Sequence, residues 1–330
     1  MVPPYAVRRL LLPLLLALEL AVLALLAVTL VAGVISVPLD RRARLVRISL
    51  MGSAYLVLEW IGLALLAGLW ILRPLRGRAR AERAEVAVVG WVLGRVLGAA
   101  RRIVRFSVAL DEPPAAGPFG DPDPVLVLAR HGGIGDSFAL VWLLAERYGR
   151  RPRVVLKQVL RWDPLIDVAL SRTGACFLPP SANGAERLGD RVGDLADGLA
   201  PGEALLLFPE GGNWTPRRRL RAIGRLWAAR RPADARTAAL LDHVLPPRAG
   251  GVLACLETRP DIPVVIVAHT GLDKITSARQ LWRSVPFSRA MEIRWWLPPH
   301  PPYGEADRLA WLTAEWAVID EWIDSRNTNN

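Results

Sequence analysis

Residues 128–140 read LARHGGIGDSFAL, which sets a histidine and an aspartate, His131 and Asp136, in a glycine-rich break between two apolar runs. In one continuous helix, positions five apart lie ~140° apart around the axis, so these two side chains would not meet. Gly132, Gly133 and Gly135 permit a tight fold-back that brings carboxylate to imidazole. An imidazole with one ring nitrogen fixed by Asp136 can take a proton from an alcohol through the other. No nucleophile-elbow serine or cysteine accompanies the pair, so direct attack by a substrate hydroxyl is favoured over a covalent intermediate. The same residues also allow a plainer arrangement, with Asp136 capping the next helix and His131 in a loop.

A second stretch, ALLLFPEGGNWTPRRR from Ala204, ends an apolar run in Pro209-Glu210-Gly211-Gly212 and continues to Arg217, Arg218, Arg219 and Arg221. A strand opening into such a turn, followed by arginines, could cradle an anionic head group with backbone amides and guanidinium forks. The arginines could equally form a solvated face against anionic lipid.

Elements must carry these residues to one place. Short β-like runs fall at 104–110, 125–129, 153–156, 175–178, 204–208, 263–268 and 291–297. Helical patterns lie between them at 137–148, 164–172, 185–199, 217–230, 251–258 and 308–323, after an amphipathic helix at 84–104. This alternation predicts an α/β layered domain with a largely parallel sheet. The segment 113–124 is a Pro/Gly/Asp loop within it, and 326–330 reads as a disordered tail. Residues 10–37 carry only the charge of Glu19, and 48–72 only that of Glu59; each run exceeds the ~20 residues that cross a hydrocarbon core. Basic flanks on all three sides leave a spanning and a re-entrant hairpin both open. The expected organisation is a two-helix membrane hairpin over 1–80, a catalytic domain over 81–325 and a tail. Glu19 and Glu59 either serve function at membrane depth or simply face protein.

The formal charge of +11 calls for anionic partners. Only Lys157 and Lys274 are lysines, and no RNP-like, zinc-finger or helix-turn-helix pattern is present, so nucleic acid is excluded as a partner. Cys176 and Cys255 lack metal or disulfide spacing and read as buried thiols. His243, His269 and His300 have no motif partner and read as structural. Six tryptophans between Trp282 and Trp322 either touch a membrane or fill the core.

HxxxxD followed by FPEG resembles the glycerolipid acyltransferase family, of the 1-acylglycerol-3-phosphate acyltransferase type. Lys157–Pro164 resembles a second family block, 262–267 a final apolar block with proline, and 245–251 (LPPRAGG) a Pro-Arg-x-x-Gly stretch of the branch with an N-terminal membrane segment. The resemblance implies that His131 is the general base, that Asp136 orients it, and that a lysophosphatidic acid hydroxyl attacks an acyl thioester of coenzyme A or acyl carrier protein, giving phosphatidic acid. It requires no cofactor and no metal, and backbone amides of the glycine turn would hold the oxyanion. Glu210, Gly211 and Gly212, with Lys157, Arg161, Arg217 and Arg248, would hold the acceptor. The family's Phe-Pro-Glu-Gly-Thr-Arg has Gly212 and Asn213 in its last two places here, and Pro179-Pro180 replace an arginine of the second block. Another lysophospholipid, glycerol 3-phosphate at position 2, or a glycolipid therefore stays open as acceptor, as does a non-catalytic lipid-binding protein. The expected location is a bacterial inner membrane, with the catalytic domain facing the cytoplasm.

Overall fold

The computed structural model describes residues 2–111, 117–133, 135–172, 175–178, 184–273, 275 and 277–328. Two long apolar helices, α1 (Tyr5–Ser36) and α2 (Arg44–Arg76), pack as a hairpin, and α3 (Arg78–Ile103) follows α2 after Gly77. Both hairpin helices are long and apolar enough to cross a membrane, with mean hydropathies of 2.8 and 2.0. Leu10, Leu14, Leu18, Leu25, Val28 and Ile35 of α1 are exposed, an apolar surface with no cover in the chain itself.

The domain that follows is built on seven strands: β1 (Val108–Asp111), β2 (Val125–Ala129), β3 (Arg151–Lys157), β4 (Cys176–Leu178), β5 (Glu203–Leu207), β6 (Val264–Thr270) and β7 (Met291–Trp296). Their spatial order is β1-β7-β6-β2-β5-β3-β4, and every neighbouring pair is parallel except β6–β7. The central strands β2, β5 and β6 are buried along their full length, as their unbroken Val/Leu/Ile runs require once both sheet faces are covered. Alternate residues serve opposite layers. Leu126 and Leu128 meet α6 (Gly184–Asp197), α9 (Gly250–Thr258) and α11 (Glu305–Thr328), whereas Val125 and Val127 meet α4 (Asp136–Trp142). The remaining helices are α5 (Pro164–Arg172), α7 (Pro216–Ala228), α8 (Pro232–Ala239) and α10 (Ala278–Ser284).

The α/β class and the largely parallel sheet are as the sequence implied, with local differences. The apolar pattern at 84–104 belongs to a helix that starts at Arg78, and the first strand begins only at Val108, past a positive φ at Arg105. The helix expected over 137–148 is regular only to Trp142; a π-helical turn, Leu143–Arg147, finishes it. Helices α8 and α10, too short and polar to show a period, were not expected. Residues 326–328 are not a loose tail: α11 runs to Thr328, and Arg326 pairs with Asp111 (2.9 Å) and Glu292 (3.5 Å) while lying over Trp322.

Helix α2 packs on α3 and α5, where Leu66, Val168 and Ala169 are buried together. Arg8, in the first turns of α1, makes a buried two-bonded ion pair with Asp167 of α5 (3.0 and 3.1 Å). Glu59 faces protein, buried against the Leu165 amide, and Glu19 accepts from the Trp60 indole (2.7 Å). Cys176 and Cys255 are buried free thiols. Five of the six C-terminal tryptophans go to the core: Trp295, Trp316 and Trp322 are buried, and Trp296 and Trp311 pack against the cluster of Trp316 and Trp322, while Trp282 is exposed.

Candidate active site

The parallel strands β2, β5 and β3 end at one edge of the sheet, and the site lies there, in the crevice such folds use for ligands. At the end of β2 the chain turns through Arg130-His131-Gly132-Gly133 and enters α4 at Asp136, with Gly135 at φ +94° before it. Gly133 packs against Leu272, whose carbonyl oxygen would be 2.7 Å from an added Cβ, so a larger residue would push the turn off its backing.

The fold-back brings His131 to Asp136: Nδ1 stands 2.8 Å from Oδ2. The same oxygen accepts from the amides of Gly132 (2.9 Å) and Gly133 (3.3 Å), and Oδ1 accepts from the Ser137 amide (2.6 Å) and hydroxyl (3.1 Å). Asp136 is 1% exposed. Burial alone would raise its pKa, but hydrogen bonds from His131 and His269 and the nearby imidazole charges hold it well below the usual carboxylate range. It is a permanent anion. Asp136 is the first residue of α4 and not its cap, which is Gly135 with no side-chain cap bond, so the plainer capping reading gives way to the paired one. Because Nδ1 is engaged, Nε2 is the ring nitrogen left for chemistry, and His131 lines the main cavity.

The FPEG turn fixes the histidine's backbone. Glu210 Oε1 accepts from the His131 amide (2.9 Å) and Oε2 from the Leu245 amide (2.9 Å), while the Trp214 amide donates to the His131 carbonyl (2.7 Å). Burial pushes the Glu210 carboxyl up to about 7, against the pull of Arg130 and the two amides. Glu210 therefore does not hold an acceptor: both its oxygens are committed and it is 2% exposed. Gly212 is buried and does not line the cavity either.

Gly211, at φ +67°, does line it, and Arg248 lies over it, with Nη1 3.3 Å from where a Cβ would stand. Burial, then the charges of Arg225 and Arg218, lower the Arg248 guanidinium from its ordinary value; Arg248 lines the cavity, whereas Arg218 and Arg225 are exposed and off it. Arg217 is exposed and off the cavity. Arg161 is off it too: it stacks over Phe177 (4.0 Å) and leans on Asp167 (3.9 Å), attracted by an aromatic face and a carboxylate. The Lys157 side chain lies outside the described residues, as do Pro179 and Pro180.

The cavity holds about 510 Å³, within the usual range for a small-molecule site. Its walls are almost wholly aliphatic. Val154, Val155 and Leu156 come from β3, Leu165 and Ala169 from α5, and Val89, Val92 and Val96 from α3; Tyr55 of α2 joins them. Phe208 stacks against His131 (4.7 Å) where the apolar space meets the imidazole.

Sequence reasoning missed two residues. Arg130 is fully buried, donates to the carbonyls of His269 (2.8 Å) and His243 (2.6 Å), and pairs with Asp273. His269, also fully buried, sets Nε2 2.9 Å from the Arg130 carbonyl and 3.4 Å from Asp136 Oδ2, so it is more than a filler of β6. Nothing local marks either one, because their partners stand 139 positions away. The expected use of glycine-turn amides for an oxyanion is also revised: Gly132 and Gly133 donate to Asp136 instead. Among the described residues, no three His, Cys, Asp or Glu side chains converge as a metal-ligand set.

Residues 117–270, which span β2 through β6 and both motifs, match the family model described as Acyltransferase. Just under half of the chain thus matches an acyltransferase model, and that segment holds both motifs of the site. A solved structure similar to it is the 1-acyl-sn-glycerophosphate (LPA) acyltransferase, PlsC, from Thermotoga maritima. The two share 12% identity over 81% of this chain and 97% of that one, at a TM-score of 0.47. No curated protein matches the sequence. The matched segment ends at Thr270, so the buried His269 falls inside it and α11 outside.

Proposed function

We propose that this protein moves a fatty acyl group from an acyl thioester to the free hydroxyl of a lysophospholipid, with lysophosphatidic acid as the first candidate and phosphatidic acid as product. The observation that carries the reading is the His131–Asp136 pair on an aliphatic cavity that Arg248 also lines. A long apolar chain and an anionic head group are the two parts of a lysophosphatidic acid acylation that need opposite surroundings.

In the reaction, Nε2 of His131 takes the acceptor's hydroxyl proton as the oxygen attacks the thioester carbonyl. The C–O bond forms, the tetrahedral intermediate collapses, the C–S bond breaks, and the thiolate leaves with the proton that His131 returns. Asp136 stabilises the imidazolium that exists only during this passage, so its charge favours the transition state over the ground state. The aliphatic cavity takes the acyl chain. Arg248 takes the phosphate, replacing Arg161 and Arg217 in that role and standing in for the Thr-Arg that Gly212-Asn213 displace. General-base help of this type contributes about 10²–10⁴-fold. The α1–α2 hairpin anchors the enzyme where both lipids reside, with its basic flanks and catalytic domain on the cytoplasmic side of a bacterial inner membrane.

The test is acyl transfer by the full chain in lipid, with labelled acyl-CoA and acyl carrier protein thioesters. The acceptors are lysophosphatidic acid, glycerol 3-phosphate, other lysophospholipids and a mannosylated lipid, each repeated with His131→Ala. Turnover of lysophosphatidic acid that disappears in the variant is expected. His131-dependent turnover of another acceptor keeps the mechanism and moves the substrate. A folded protein that transfers to none of them overturns the reading.

A further inference from the structure

Helix α7 contributes no residue to the cavity lining, yet its faces differ in character. Thr215 caps it by accepting from the Arg218 amide (3.1 Å), Pro216 starts it, and Ala222 is its buried point. At ~100° per residue, Arg218 and Arg225 lie within ~60° of Ala222, on the side whose charge Arg248 feels. Leu220 and Trp227 lie ~140–160° away from it, within ~20° of each other, and point outward. They are 65% and 50% exposed. Arg217 and Arg221, both exposed, fill the arc between the two stripes.

The pattern continues past the helix. Leu240, which closes α8, is 79% exposed, and Arg230 and Arg236 are exposed beside it. Residues 216–239 carry eight arginines and one aspartate, Asp234, which Arg231 already engages (2.6 Å). Arg219 is likewise engaged, by Asp242. An exposed leucine alone would mean nothing. A tryptophan and a leucine in register on one helix ridge, bordered by uncompensated guanidinium groups, form the surface that sits at a lipid headgroup layer.

We infer that the outer face of α7, with Leu220 and Trp227 as its apolar ridge and Arg217 and Arg221 as its charged border, rests on an anionic phospholipid leaflet. It is a second lipid contact, independent of the α1–α2 hairpin. Charge complementarity selects the occupant: a zwitterionic surface would leave the arginines uncompensated, whereas an anionic one attracts each basic residue by about fivefold in equilibrium constant.

The experiment reads position rather than turnover, so its outcome does not depend on the acyl-transfer reading. Full-length Leu220→Cys is labelled with bimane, which is selective because Cys176 and Cys255 are buried. It is placed in nanodiscs of phosphatidylglycerol or phosphatidylcholine, with brominated lipid as the quencher from within and iodide as the quencher from water. The expected result is lipid quenching and iodide protection in phosphatidylglycerol, and the reverse in phosphatidylcholine. Adding Arg217→Gln and Arg221→Gln should weaken docking about 25-fold and return the label to water. Equal iodide access in both discs overturns the inference. So does protection that appears only when an acidic acyl carrier protein is added, which would make α7 a protein-docking face.

Discussion

Asp136→Asn keeps the size and shape of the side chain and removes its charge. The charge centres of Asp136 and a protonated His131 lie about 4 Å apart, judged from the 2.8 Å Nδ1–Oδ2 contact. At an effective dielectric near 20, that attraction is worth ~4 kcal/mol. Asp136 is 1% exposed, so solvent screening does not reduce it much. The attraction exists only while the imidazole holds the substrate's proton, so its loss should appear as a ~10³-fold fall in kcat, with KM little changed. The variant also has a packing problem that can be stated in advance. Oδ2 accepts from His131, Gly132 and Gly133, and Oδ1 from Ser137. Whichever way the amide turns, its NH₂ meets a backbone N–H, at ~1–3 kcal/mol of stability. The assay is single-turnover acyl transfer in nanodiscs, beside a thermal melt that scores the folded fraction. A folded Asp136→Asn enzyme within tenfold of the parent kcat would refute the reasoning, since the anion would then be a helix-start device only.

Further expectations follow from other contacts. Gly211→Ala forces an alanine to φ +67° and into a tight contact with Arg248, whose Nη1 would stand 3.3 Å from the new Cβ and must give way, so acceptor KM should rise severalfold at nearly constant kcat; an unchanged KM would detach Arg248 from the acceptor. Ala169→Phe fills part of the aliphatic cavity, and donors with long acyl chains should lose more kcat/KM than short ones in a chain-length series. Glu210 has a folded pKa of about 7 against an ordinary 4.5, so the native state holds its proton across that window. Stability contributed through this group is therefore present below about pH 4.5 and is lost as pH rises to about 7, by ~3 kcal/mol at most. Glu210→Gln should flatten that slope in unfolding curves taken across the same pH range. His269→Gln removes one donor from Asp136 and should lower kcat while the melt shifts only modestly; a large loss of stability with unchanged kcat would make His269 structural.

What the sequence disclosed follows from range. His131 and Asp136 lie five apart, and the glycines between them announce a turn, so their meeting could be argued without a fold. The apolar runs that became β2, β5 and β6 were equally plain, since strands covered on both faces must be apolar throughout. Glu210 was visible as part of a motif, yet its job was not: only the parallel pairing of β2 with β5 puts the FPEG turn beneath the His131 amide. The arginines show the limit most clearly. Arg161 and Arg217 look no different in sequence from Arg218 and Arg225. Only the fold tells them apart from Arg248: Phe177 and Asp167 hold Arg161, the three on α7 are exposed and off the cavity, and Arg248 lines it.

The cavity wall is shared between the acyltransferase layers and the helices that lead out of the membrane hairpin. Tyr55 belongs to α2, and Val89, Val92 and Val96 to α3, while Arg8 clamps the base of α1 onto α5 through Asp167. Helix α2 is thus part of the cavity wall as well as of the hairpin. Trimming residues 1–76 would take Tyr55 from that wall and the Arg8 clamp from α5, so the cavity would open as the hairpin is lost. On the proposed reading, anything that changes the tilt of α2, such as bilayer thickness or lateral pressure, would also change the shape of the space offered to the acyl chain.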